Sequence, residues 1–128
     1  MNAQTISPSP WISVLGDSIS TLQGYSQPED AVFYDPPHQA LADVFTPADT
    51  WWGQVIERLG GKLLINNSIS GSTVCNHPSY EIPSYGCSDE RTFALSSDGI
   101  SPDYILVHLG TNDWGFGLPI LEDRKSVV

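Results

Sequence analysis

The chain has 128 residues, which is enough for one domain with a modest hydrophobic core. Hydrophobic residues make up 40% of it and charged residues 16%, a composition typical of a folded globular protein and not of a disordered one. Its formal net charge of -10 gives a surface that repels phosphate backbones and anionic lipid, which argues against nucleic acid and membranes as partners.

The start of the chain predicts no membrane or export segment. Residues 1–8 have neither the basic start nor the apolar run of a signal peptide. No stretch of the sequence approaches the roughly 20 consecutive apolar residues that a membrane helix needs. We therefore expect a cytoplasmic protein.

The first half of the chain predicts a strand, a long excursion and a helix. Residues 11–15 are apolar and partly β-branched and end at Gly16, which predicts a buried strand entering a tight turn. Residues 21–50 contain four prolines and predict a long excursion. Asp49 or Thr50 can cap a helix that begins near Trp51, has one apolar face and stops at Gly60.

The second half predicts two more strands. Residues 62–66 form the second strand and residues 102–109 the third, with a short helix over residues 88–95 between them. The third strand is apolar on both faces, as expected for a parallel strand that helices cover on each side. This alternation predicts an α/β sheet with right-handed crossovers.

Three distinctive peptides follow the three strands, at residues 16–20, 67–71 and 110–113. Ligands collect at the carboxyl ends of such strands, so the three peptides predict a site. Acyl transfer needs a nucleophile on a tight turn and donors for the oxygen that becomes negative. Ser18 can offer its hydroxyl and its backbone N–H, Gly71 a backbone N–H, and Asn112 a side-chain amide.

In this order the peptides resemble the signature blocks of the SGNH (GDSL-like) hydrolase family, which match Gly16-Asp17-Ser18, Gly71 and Gly110-Thr111-Asn112-Asp113. The resemblance implies a flavodoxin-like α/β/α fold with a parallel sheet, of which three strands are present. It also implies Ser18 as the nucleophile and Ser18, Gly71 and Asn112 as the oxyanion hole. The expected substrate is a small ester, such as an acetylated carbohydrate, and no metal or organic cofactor is expected.

The family's fourth block, an Asp-x-x-His that supplies the general base and the acid that orients it, has no counterpart after the third block. We therefore expect residues 1–128 to be a single, incomplete hydrolase domain. In the family a fourth strand lies beside the third. Without it, residues 104–109 become an exposed apolar edge, which predicts a homo-oligomer or poor solubility.

Three histidines are candidates for a substitute base, and none fits well. Asp35-Pro-Pro-His38 has the Asp-x-x-His spacing, but it lies in the first excursion and two prolines stiffen it. Short motifs of this kind match by chance. His77 lies in the loop after Gly71 and could line the pocket. His108 lies inside a strand, where a hydrogen-bonded core histidine is expected.

Each site residue also has a structural interpretation. Ser18 could be a helix N-cap, Gly71 a turn glycine, and Asn112 could close its own turn. Asp17 and Asp113 could hold magnesium, but bonds to backbone amides are the favoured interpretation for both.

The tryptophans and cysteines carry weaker signals. We assign Trp52 to packing, and Trp114, which follows the third block, is a substrate-contact candidate with loop packing as the alternative. Cys75 and Cys87 lack the matching histidines of a zinc site. A disulfide between them is conceivable, but thiols are expected in a cytoplasmic chain.

Two other functions remain open. Without a base the chain could be a catalytically inactive fragment of a hydrolase. It could instead be an anion- or nucleotide-binding module, because a glycine turn at a strand end can cradle an anion. The acidic composition and the lack of a Walker lysine or a GxGxxG run argue against the second.

Overall fold

The computed structural model describes residues 8–76 and 85–117, and in these ranges the chain forms one open parallel sheet with helices. The strands are β1 (Trp11–Gly16), β2 (Lys62–Ser68) and β3 (Tyr104–His108), in the order β2-β1-β3. The helices are α1 (Pro36–Ala42), α2 (Trp51–Arg58), α3 (Asp89–Phe93) and α4 (Thr111–Gly115). The predicted α/β fold class is confirmed. None of the described helices has the length and apolar character needed to cross a membrane.

The register of the sheet brings the carboxyl ends of its strands level. Gly16 at the end of β1 pairs with Ser68 of β2 on one side and with His108 of β3 on the other. Because the strands are parallel, all three leave the sheet at the same edge. The three distinctive peptides therefore begin close together, as expected for peptides that follow the carboxyl ends of parallel strands.

The core lies between β1 and α2. Ile12 and Val14 of the central strand are fully buried, and they pack with Leu22, Trp52 and Ile56. Trp52 and Ile56 come from α2, whose spacing of apolar residues predicts this buried face. The assignment of Trp52 to packing is confirmed.

Local chemistry sets the ends of α2. The Thr50 hydroxyl accepts a hydrogen bond from the backbone N–H of Gly53 at 3.0 Å, which makes Thr50 the N-cap. After the helix Gly60 adopts a left-handed conformation with φ of 65°, the backbone geometry that ends many helices.

The first excursion contains a helix that the sequence interpretation missed. Helix α1 begins at Pro36-Pro37, and the Asp35 carboxylate caps it by accepting from the backbone N–H of His38. Proline is well tolerated in the first turn of a helix, where its missing N–H would have no intrahelical partner. The sequence predicts Pro36 and Pro37 as loop residues, and in the structure they begin α1.

Strand β3 corrects two expectations. Its side chains are largely exposed and not covered on both faces, with Ile105 49% and Val107 59% exposed. His108 is exposed as well, with its ring 5.5 Å from that of Trp51, so it is not a core residue. The physical reason is that β3 is the outer strand of the described sheet. Within the described residues Tyr104, Ile105 and Val107 are exposed and Leu106 and Leu109 are half-buried, which agrees in part with the exposed apolar edge expected at residues 104–109.

Candidate active site

The turn after β1 presents Ser18 at its start. Asp17 is the N-cap of the 3₁₀ turn Ser18–Ser20, and its Oδ1 accepts from the backbone N–H of Ile19 at 3.0 Å. The N-cap interpretation of Ser18 is therefore wrong, since Asp17 has that role. Ser18 is half-buried, and within residues 8–76 and 85–117 its Oγ has no hydrogen-bond partner. Its hydroxyl is thus not used to hold the turn.

The end of β1 requires a glycine because a Cβ at Gly16 would collide with the side chain of Ser20. The Gly16 carbonyl oxygen accepts from the backbone N–H of Ile69 at 3.1 Å, which joins the nucleophile turn to the second distinctive peptide. A backbone hydrogen bond at Gly16, two residues before Ser18, therefore links the two peptides.

Gly71 lies in the turn that follows β2. Its φ of 87° is in the left-handed region, and the next residue, Ser72, donates its backbone N–H to the carbonyl of Ile69 at 3.1 Å. A Cβ built on Gly71 would meet no atom within 4 Å. Gly71 is thus a turn glycine, as one interpretation expects, and the space on its Cβ side is open.

The third peptide begins α4 and reaches across to the second. The Asn112 Nδ2 donates a hydrogen bond of 2.9 Å to the carbonyl oxygen of Ser72, next to Gly71. The side chain therefore joins two loops and does not close its own turn. Asn112 is half-buried.

Asp113 fixes the loop that follows Gly71. Its carboxylate is fully buried and accepts from the backbone N–H of Val74 at 2.9 Å and of Cys75 at 2.8 Å. The expected backbone-binding role of Asp113 is confirmed, and the cap on Ile19 confirms the same role for Asp17.

Arg91 of α3 is a site residue that the sequence interpretation missed. Arg91 is only 3% exposed, and its guanidinium donates to the side chain and the carbonyl of Asn67 at 2.7 and 2.9 Å. It also donates to the Ser72 Oγ at 2.7 Å and to the Gly16 carbonyl at 3.2 Å. Burial lowers the pKa of Arg91 to about 10, so the group remains charged at neutral pH.

Of the candidate bases, His38 lies on the surface. Its Nδ1 is 2.7 Å from the Asp35 Oδ1, and both side chains are nearly half exposed. The ring packs on Phe33, with 4.3 Å between centroids. The hydrogen bond with His38 lowers the pKa of Asp35 below its ordinary value. His77 lies outside the described residues.

The remaining candidates are Trp114 and the two cysteines. Trp114 is 83% exposed on α4, and its role as a substrate contact stays a prediction. Cys75 is buried, Cys87 is exposed, and no disulfide joins them.

The sequence model of the GDSL-like Lipase/Acylhydrolase family matches residues 10–126. A solved structure from Bacteroides uniformis ATCC 8492, assigned as a GDSL-like lipase, is 37% identical with a TM-score of 0.67, and the match covers 92% of this chain and 55% of that one. Another with the same assignment, from Bacteroides ovatus ATCC 8483, is 36% identical with a TM-score of 0.65 and coverages of 88% and 54%.

No curated protein matches the chain. The chain spans little more than half of the length of the two related structures. The family match nevertheless extends over both β1 and the segment after β3, and so includes all three distinctive peptides. The chain belongs to the GDSL-like lipase/acylhydrolase family.

Proposed function

We propose that the chain carries the nucleophile and the oxyanion hole of an ester hydrolase. The observation that supports this most strongly is the level register of the three strand ends at Gly16, Ser68 and His108, from which all three family peptides leave. In the proposed reaction the Ser18 Oγ attacks the carbonyl carbon of an ester. An acyl-enzyme forms, the alcohol leaves, and water then releases the acid.

The proposed oxyanion hole consists of the backbone N–H groups of Ser18 and Gly71 and the side-chain amide of Asn112. An amide nitrogen has two hydrogens, and Asn112 uses one on the carbonyl of Ser72. The second is available for the negative oxygen of the tetrahedral intermediate. Donors of this kind are typically worth about 100- to 1000-fold each in turnover.

The substrate we propose is a small ester, such as an acetyl group on a carbohydrate. Trp114 supports this proposal because it is 83% exposed and comes two residues after Asn112. An indole face in that position offers a flat apolar surface on which a sugar ring or a short acyl chain can lie.

A second candidate, a catalytically inactive binding remnant, has one observation in its favour. Within the described part of the chain no group hydrogen-bonds to the Ser18 Oγ, and a serine without a general base is a weak nucleophile. The surface pair of Asp35 and His38 makes its hydrogen bond within the excursion and not to Ser18. We favour the hydrolase because the proposed site uses all three family peptides.

A fluorophosphonate probe distinguishes the two candidates. Labelling of the wild-type chain at Ser18, at a rate typical of active serine hydrolases and lost in Ser18→Ala, supports the hydrolase. A folded wild-type chain that is not labelled above the Ser18→Ala background supports the inactive remnant. Mass spectrometry of the labelled peptide identifies the modified residue.

A further inference from the structure

We propose that Arg91 is the positioning residue of this site, which holds the nucleophile turn and the oxyanion turn in fixed relation to each other. The inference rests on the proposed function of Ser18, Gly71 and Asn112 but concerns a residue that none of the three family peptides contains. Arg91 lies on α3, between the second and third peptides in the chain.

The first step of the argument is the position of the guanidinium. One terminal nitrogen donates to the carbonyl oxygen of Gly16, two residues before Ser18. The other donates to the Oγ of Ser72, the residue after Gly71. A single rigid, planar group therefore spans the two turns from which the nucleophile and an oxyanion donor are proposed to act.

The second step is the direction of the hydrogen bonds at Ser72. Its hydroxyl donates its only proton to the carbonyl of Ile69 at 2.7 Å, so it acts as an acceptor toward Arg91. Its backbone carbonyl accepts from the Asn112 amide. Arg91 thus fixes Ser72, and Ser72 in turn fixes Asn112.

The third step is the requirement for arginine. The guanidinium also binds both the side-chain and the backbone oxygen of Asn67 at the end of β2. Acceptors on Gly16, Asn67 and Ser72 surround it from different directions, and a planar fork can reach them together. A lysine ammonium has one nitrogen on a flexible stem and cannot span the same set.

Arg91→Lys keeps the charge and loses the fork, and Arg91→Met loses both, so the two variants separate geometry from charge. The control is Arg58→Met, because Arg58 is exposed at the end of α2. Circular dichroism and thermal unfolding verify that each variant is folded. The readouts are the labelling of Ser18, resolved into the limiting rate and the probe affinity, and the NMR signals of the Asn112 side-chain amide.

A displaced donor is expected to lower the limiting rate and not the affinity, since misplacement of about 1 Å can cost about 100-fold. We expect Arg91→Lys to lower the limiting rate of Ser18 labelling by about 100-fold, to shift or broaden the Asn112 signals, and to leave probe affinity within about twofold. Arg58→Met should change none of these. A folded Arg91→Lys with wild-type labelling and an unmoved Asn112 amide would overturn the proposal.

Two further measurements cover the cases in which the Arg91 variants unfold or the wild-type chain is not labelled. If both Arg91 variants unfold, Ser72→Ala is the alternative. It removes the hydroxyl that accepts from Arg91 and donates to the Ile69 carbonyl, and it keeps the backbone carbonyl that binds Asn112. It should shift the Asn112 signals and lower the limiting rate by about tenfold. Unchanged signals and rate in Ser72→Ala would contradict the proposal. If the wild-type chain is not labelled at all, the proposed hydrolase function fails, while the Asn112 amide signals in Arg91→Lys still test the positioning role.

Discussion

The side-chain amide of Asn112 is bonded to the carbonyl oxygen of Ser72 at 2.9 Å, across a separation of 40 residues in the chain. This contact joins the peptide after β3 to the glycine turn after β2. One of the two N–H groups of the Asn112 amide makes this hydrogen bond. Because the amide is planar, the bond also sets the direction of the second N–H group. A donor held in this way needs little reorganisation when charge develops on a bound ester.

Replacing Asn112 therefore tests the proposed oxyanion hole. We expect Asn112→Ala to lower the labelling rate of Ser18 by about 100-fold or more, because one preorganised donor is lost. The fold should persist, since Asn112 is only half-buried. Thr111→Ala, an exposed position on the same helix, is the matched control. Equal labelling of the two variants would argue against a role for Asn112 in the reaction.

The buried carboxylate of Asp113 predicts a stability effect. Asp113→Asn keeps the shape of the side chain but loses a charged acceptor for the N–H groups of Val74 and Cys75. Hydrogen bonds to charged groups are worth about 1.5–3 kcal/mol each, so we expect a loss of about 2–4 kcal/mol in the free energy of unfolding. Denaturant unfolding measures it. Glu57→Gln, at an exposed position of α2, should stay within about 0.5 kcal/mol of wild type.

The pair of Asp35 and His38 predicts a pH dependence. Its side-chain hydrogen bond lowers the pKa of Asp35 from the ordinary value of 3.8, so His38→Ala should raise that pKa toward 3.8. Because the folded-state pKa is the depressed one, the stabilisation is present above pH 3.8 and is lost as the pH falls through the lowered pKa. An NMR titration of the Asp35 carboxyl carbon follows the shift. An unchanged titration in His38→Ala would show that the pair does not form in solution.

The outer edge of β3 predicts self-association. In the described part of the chain β3 is the outer strand and side chains such as Val107 are exposed, and an outer strand with these features can pair with another sheet. We propose that a second copy of the chain pairs there. Light scattering should then report a dimer or larger assembly that Val107→Lys weakens. Leu41→Lys, at an 85% exposed position on α1, should not weaken it. A wild-type chain that remains monomeric at high concentration would refute the proposal.

The exposure of Trp114 predicts a contribution to substrate affinity. We expect Trp114→Ala to weaken the binding of an acetylated sugar about fivefold, the equivalent of about 1 kcal/mol of aromatic contact. Calorimetry measures this without requiring turnover. Leu41→Ala serves as the control for the loss of an exposed apolar side chain. Equal affinity in both variants would remove Trp114 from the proposed substrate surface.

The features predicted correctly from the sequence are those that depend on the spacing of apolar residues and on the ends of strands. The apolar spacing of α2 and its Thr50 cap are local features, and the structure has them where they were predicted. The meeting of three peptides at one edge follows from parallel topology alone, without knowledge of any side-chain contact. The caps formed by Asp17 and the loop anchor formed by Asp113 were also expected from residue type.

Most of the features that were not predicted from the sequence depend on contacts between distant segments of the chain. Nothing local distinguishes Arg91 from a solvated arginine on a short helix, because its partners lie at Gly16, Asn67 and Ser72. The exposure of His108 depends on which strand occupies the outer position in the sheet, a property of the assembled fold. Helix α1 was missed for a different reason, since its opening proline pair is also typical of turns.

The register of β3 on β1 has a consequence for any chain that extends this sheet. A strand that adds in parallel to the free edge, with His108 as its reference, will end where β1 and β2 end. The residues that follow such a strand will leave the sheet at the same edge as Ser18. The register of the sheet thus sets where the residues after an added parallel strand leave it.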